Sequence, residues 1–117
     1  TRQTGKFSFG RRPTLDVEAT PMGTYQAIVY RAIGEQWYRQ CDLNRDLIVT
    51  GTVRIRILIN KNGKVSSMRQ TSRVGASEVQ KSFTFLAIKL ARLPAMPPEV
   101  RNALVGDSLE MYFDFNF

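Results

Sequence analysis

Apolar positions recur along this chain with two distinct periods. From Thr20-Pro21 onward, Tyr25, Ile28, Val29, Ala32, Ile33 and Trp37 fall three and four residues apart, which predicts a helix with one buried stripe. Thr20 suits the N-cap, and Pro21 suits the first helical position, where its missing N–H has no bond to lose. The helix is expected to end near Cys41, and Gly34 inside it lowers the helical propensity. After a polar turn at Asn44–Asp46 the period falls to two. Val53, Ile55, Ile57 and Ile59 alternate with Arg54, Arg56 and Leu58, the pattern of a strand with one buried face. The run Asn60-Lys61-Asn62-Gly63 predicts a tight hairpin turn built on positive φ angles. A second strand then runs back from Lys64 to Thr71. In it Val65 and Met68 are out of simple alternation, which predicts a β-bulge.

Ser77 opens a second helix, and Gln80 stands at capping-box spacing from it. Val79, Phe83, Leu86, Ala87 and Leu90 form its expected apolar stripe, widened by Phe85 and Ile88. The prolines of Leu93–Pro98 stop it, and Pro98–Ala103 is expected to form a short helical turn. The last segment alternates most cleanly: Leu109, Met111, Phe113, Phe115 and Phe117 against Glu110, Tyr112, Asp114 and Asn116.

This order predicts an α+β fold: a three-stranded antiparallel sheet in the order second, first, third, with two helices packed on one face and the topology αββαβ. Residues 1–20, with Gly5, Gly10 and Pro13, read as an irregular arm or linker ahead of a domain spanning 21–117. Within the arm, Phe7 with Phe9, and Leu15 with Val17 and Ala19, alternate briefly and could each add to a sheet edge.

In that architecture the C-terminal strand is an outer strand, whose unpaired N–H and C=O groups can template a guest strand. Glu110, Met111, Tyr112, Phe113, Asp114, Phe115 and Asn116 are therefore the candidate partner-binding residues. The alternative is that Phe7 and Phe9 cover the same edge from within the chain. Arg54 and Arg56 are candidates for electrostatic contacts with an acidic partner, against the plainer reading of a solvated strand face.

Composition narrows the chemistry. The net charge is +7, from 17 Lys+Arg against 10 Asp+Glu, which suits an acidic protein, an anionic lipid or a nucleic acid without choosing among them. Histidine is absent, which removes the commonest general base and metal ligand, and no spacing proposes a carboxylate pair or activated lysine in its place. No catalytic, cofactor-binding or metal-ligating residue is assigned, and the chain is not expected to be an enzyme. The single cysteine, Cys41, excludes an internal disulfide and reads as a small buried hydrophobe. No apolar run is long enough to cross a bilayer. The sequence opens on Thr1 and is expected to be a piece of a longer protein, with any anchor or signal upstream.

Gly51-Thr-Val-Arg-Ile-Arg-Ile-Leu-Ile-Asn60, followed by Lys61-Asn-Gly-Lys-Val65, resembles the hairpin of TonB and TolA C-terminal domains. The helix end Ala87–Pro98, with its Leu-Pro and Pro-Pro, the phenylalanine-rich strand Leu109–Phe117 and the leading helix Tyr25–Trp37 are similar to the TolA type. The chain departs from these families in having one cysteine where many TolA domains carry a pair, and in lacking the Tyr-Pro opening of many TonB domains. The resemblance implies a periplasmic domain of an envelope-spanning energy transducer. Such a protein is anchored in the inner membrane, coupled to a motor complex through a region absent here, and grips an outer-membrane transporter or a Tol–Pal-type periplasmic protein by strand addition. A strand-swapped homodimer is compatible with an open edge. The alternatives are a small basic nucleic-acid-binding domain, or an adhesion or assembly module of the same fold.

Overall fold

The computed structural model describes residues 6–11, 13–15 and 17–117. Its elements are β1 (Lys6–Phe9), α1 (Pro21–Leu43), β2 (Thr52–Asn60), β3 (Val65–Val74), α2 (Glu78–Leu90), α3 (Pro98–Ala103) and β4 (Ser108–Asn116), with a single 3-10 turn at Arg45–Leu47. The strands form one four-stranded sheet in the order β1-β4-β2-β3. β2 runs antiparallel to both β3 and β4, while β1 runs parallel to β4.

This corrects the expected three-stranded antiparallel sheet with two helices. The sheet is mixed, has a fourth strand, and is accompanied by three helices. The added strand comes from the stretch expected to be a linker, of which residues 1–5, Arg12 and Asp16 lie outside the described residues. The physical reason is burial: Phe7 and Phe9 of β1 are fully sealed in the core. Phe9 stacks on Tyr30 at 4.4 Å between ring centroids and on Phe115 at 5.1 Å. The backbone of this segment is tied down as well. The Tyr30 hydroxyl donates to the Ser8 carbonyl at 2.8 Å, the Tyr38 hydroxyl to the Gly10 carbonyl at 3.0 Å, and Asn116 Nδ2 to the Phe9 carbonyl at 3.0 Å.

One face of the sheet carries the core. Val53, Ile55, Ile57 and Ile59 of β2 lie beside Leu109, Met111, Phe113 and Phe115 of β4, all buried. Trp37 of α1 contacts Phe115 and Phe117, and Phe83 of α2 contacts Phe117, so both long helices pack on this face. Thr20 caps α1 as expected, its Oγ1 accepting from the Gly23 N–H at 2.9 Å. Ser77 and Gln80 close the capping box of α2.

The buried face of α2 differs from the expected stripe. Phe83, Ala87 and Ile88 are buried as expected, but Val79, Leu86 and Leu90 stand exposed, and Gln80 and Thr84 lie inside in their place. A reading by hydrophobicity alone rotates the helix away from these polar residues. The fold buries Gln80 and Thr84 because each has a hydrogen-bond partner there.

The hairpin between β2 and β3 is also looser than expected. Gly63, at φ 85°, is the only one of its residues with a positive φ. A two-residue type I′ turn needs two such residues. The loop Lys61–Lys64 is instead closed by Asn60, whose Oδ1 accepts from the Asn62 and Lys64 N–H groups at 2.9 and 3.0 Å. A side chain at Gly63 would meet the Pro94 carbonyl, so glycine is required twice over.

Candidate functional site

The strand expected to be an open edge is interior. β4 pairs along its whole length with β2, and its other flank is occupied at Tyr112–Phe115 by Lys6–Phe9. Met111, Phe113 and Phe115 face the core and are fully buried. Glu110, Tyr112, Asp114 and Asn116 lie on the opposite face, where most of their polar groups stitch the sheet to itself. Arg54 forms a two-point pair with Asp114, at 2.6 Å from Nε to Oδ1 and 3.3 Å from Nη2 to Oδ2. Arg56 Nε meets Glu110 Oε2 at 2.6 Å. The two carboxylate side chains are only 10% and 11% exposed, so the arginines serve as internal partners rather than as free cations. Hydrogen bonding to Asp114 and to Glu110 pushes the Arg54 and Arg56 guanidiniums above their ordinary values. Asn116 accepts from the Thr52 hydroxyl at 3.1 Å while its amide holds Phe9. The expected docking residues thus become structural, and the reason is the competing strand supplied by β1.

The outer strands of the sheet are β1 and β3. The free flank of β1 is partly closed by the chain itself: Ser8 and Thr14 exchange backbone hydrogen bonds of 3.3 and 3.1 Å. β3 is the other case. Among the described residues none pairs with its outer flank.

The direction of the β3 backbone groups follows from their neighbours. The carbonyls of Arg54 and Leu58 point toward β3, because they accept from Thr71 Oγ1 and Ser66 Oγ, and the Asn60 N–H bonds back to Lys64. Arg56 lies between them at the same pleat phase and is paired with Arg69. Arg69 therefore turns its backbone toward β2, and its neighbours Met68 and Gln70 turn their N–H and C=O groups outward. Two bulges bracket this stretch, with register shifts opposite Arg54/Ile55 and Leu58/Ile59 that leave Thr71 and Ser66 unmatched. The second shift explains why Val65 and Met68 share a face though three residues apart, as the broken alternation predicted.

Beside this flank lies a groove of about 420 Å³ between the start of β3 and the end of α2. Val65 and Met68 line it from the strand, and Ile88, Ala91 and Leu93 from the helix end. Lys64, Lys89 and Arg92 stand exposed on its rim. Among the described residues none of the three makes an ion pair, in contrast to Arg54, Arg56 and Arg73.

No protein-family model matches this chain, and no curated protein matches it in sequence. The site therefore rests on its own geometry.

Cys41 is half-buried, and burial first, then the neighbouring Asp42, pushes its thiol up to about 12. A thiol so held is a poor nucleophile at neutral pH. Sequence reasoning placed β4 beside β2 and β3 on the outside, as the structure does, but chose the flank of β4 for docking because it left β1 out of the sheet. The signal was present in Phe7 and Phe9, whose alternation is strand-like but only four residues long.

Proposed function

We propose that this chain is a non-enzymatic protein-interaction domain that binds an extended segment of a partner by β-strand addition, and that the docking flank is β3. The observation that carries the reading is the unpaired outer side of β3 at Met68 and Gln70. It offers main-chain donors and acceptors for affinity and a side-chain groove beside them for specificity. The ten-residue strand contains no proline to prevent pairing.

The resemblance of the hairpin and of the Leu-Pro helix end to TonB and TolA domains supports placing this activity in the periplasm, in a protein anchored in the inner membrane. The partner is then an outer-membrane transporter or a Tol–Pal-type protein. A nucleic-acid role draws no support from the aromatic residues. Base stacking on a sheet uses two or three rings on an open face, whereas Phe7, Phe9, Phe113 and Phe115 are sealed in the core and, among the described strand residues, Tyr112 is the one ring on the other face.

The test is an NMR titration with synthetic peptides covering the periplasm-facing termini of outer-membrane transporters and Tol–Pal-type proteins. A binding peptide is expected to protect the Met68 and Gln70 amides from exchange and to leave Tyr112–Phe115 unperturbed. Gln70→Pro removes an outward N–H without breaking a ladder bond, and is expected to abolish binding. Unchanged affinity in that variant, with its circular dichroism intact, refutes the docking flank.

A further inference from the structure

We infer that the groove between β3 and the end of α2 reads the bound segment, and that it selects an acidic extended peptide with a large apolar residue at its centre. The inference rests on strand addition at β3. It goes further in assigning a recognition site and the chemistry of its ligand.

An added strand continues the pleat of the sheet, so every second guest side chain points to the core face, the face of Val65 and Met68. The helix layer does not close over that position. At the end of α2 the chain leaves helical geometry at Ala91, where the following prolines carry it away toward α3. What remains is the recess floored by Val65 and Met68 and walled by Ile88, Ala91 and Leu93. Its roughly 420 Å³ falls toward the lower end of the range for ligand sites and admits a large apolar side chain.

The rim sets the sign of the flanking charges. Lys64 lies on the hairpin side, and Lys89 and Arg92 on the helix side, so cations stand on both sides of the recess. Lys89 also lies in the last turn of α2, where the helix dipole favours positive charge. Three arginines elsewhere are matched internally, Arg54 to Asp114, Arg56 to Glu110 and Arg73 to Glu78. At this rim the described residues supply no carboxylate partner. A guest with Asp or Glu beside its apolar anchor supplies that partner, and a basic guest is repelled.

The test uses two fluorescent nine-residue probes of alternating leucine and threonine, one with aspartates at both ends and one with lysines there, followed by anisotropy. The acidic probe is expected to bind about tenfold more tightly than the basic one, as several exposed ion pairs acting together would give. The doubly reversed protein Lys89→Glu, Arg92→Glu is expected to invert that order. Both residues are exposed, so the variant should fold. Equal binding of the two probes, no binding of either, or an unchanged order in the reversed protein overturns the inference. An acidic probe with alternate backbone amides methylated cannot add as a strand. If it loses affinity while charge reversal has no effect, strand addition stands and the groove assignment falls. If charge reversal acts but methylation does not, the groove is a binding site and strand addition at β3 fails.

Discussion

The indole N–H of Trp37 on α1 donates to Thr84 Oγ1 on α2 at 3.0 Å, with both side chains sealed from solvent. This bond ties the two long helices together inside the apolar layer, and it explains why a threonine occupies the buried face of α2. Thr84→Val keeps the shape and removes the acceptor, which leaves the indole N–H unsatisfied. The expected loss of stability is about 1–3 kcal/mol in urea unfolding. A change below a few tenths would show that the N–H finds another partner.

Gln80 does more than complete a capping box. Its Oε1 accepts from the Ser77 and Val49 N–H groups at 3.1 and 3.2 Å, and its Nε2 donates to the Val49 carbonyl at 2.8 Å. The loop after α1 is thereby pinned to the start of α2. Ser77→Ala is expected to cost about 1 kcal/mol, as N-cap loss usually does. Gln80→Ala should cost more, about 2 kcal/mol, because the two part-buried hydrogen bonds to the Val49 backbone are lost as well. Equal effects of the two substitutions would reduce Gln80 to an ordinary cap.

Gly34 sits in the middle of α1, where alanine is intrinsically better by about 1 kcal/mol. A Cβ there would stand only 2.7 Å from the ring of Phe9, itself fixed in the core. Gly34→Ala is therefore expected to lower the melting temperature despite the gain in helical propensity. A rise would show that β1 yields easily.

β1 is integral to the domain. Phe9→Ala is expected to cost about 3–5 kcal/mol, the usual range for emptying a buried phenylalanine site. A chain starting at Thr20 should lose cooperative unfolding, which calorimetry would read directly. A sharp transition in the truncated chain would return residues 6–9 to the status of a linker.

The Cys41 thiol titrates near 9 when unfolded and at about 12 when folded. Its proton is retained by the native state as the unfolded state releases it. Its contribution to stability is thus complete below pH 9 and is lost as pH rises from about 9 to about 12. Iodoacetamide at pH 8 should modify the native protein slowly and the urea-unfolded protein fast. Equal rates would contradict the burial of the thiol.

Much of this fold was legible from local pattern. The cap at Thr20, the capping box at Ser77, the alternation of β2 and β4 and the bulge between Val65 and Met68 all follow from short-range rules, because each depends on groups a few residues apart. Three features were not fixed by the sequence, although covering of the last strand by Phe7 and Phe9 was one of its two readings, and the reason is common to all three. The pairing of Phe7 with Phe113, the inward turn of Thr84 and the release of β4 from the edge are set by contacts between residues 47 to 106 positions apart. Periodicity says that a strand has a buried face, but not which strand lies beside it. The candidate site moved for that reason alone: the mode of binding was argued from an open edge, and the location of the edge depends on long-range order.

The parallel registry of β1 with β4 also bears on mechanics. A pull on the residues ahead of Lys6, directed along the strand, loads the β1–β4 bonds together in shear rather than peeling them one at a time. The rings of Phe7 and Phe9, lodged crosswise in the core, act as barbs against the same slip. A load applied there would meet the β1–β4 seam first, on the opposite side of the sheet from β3.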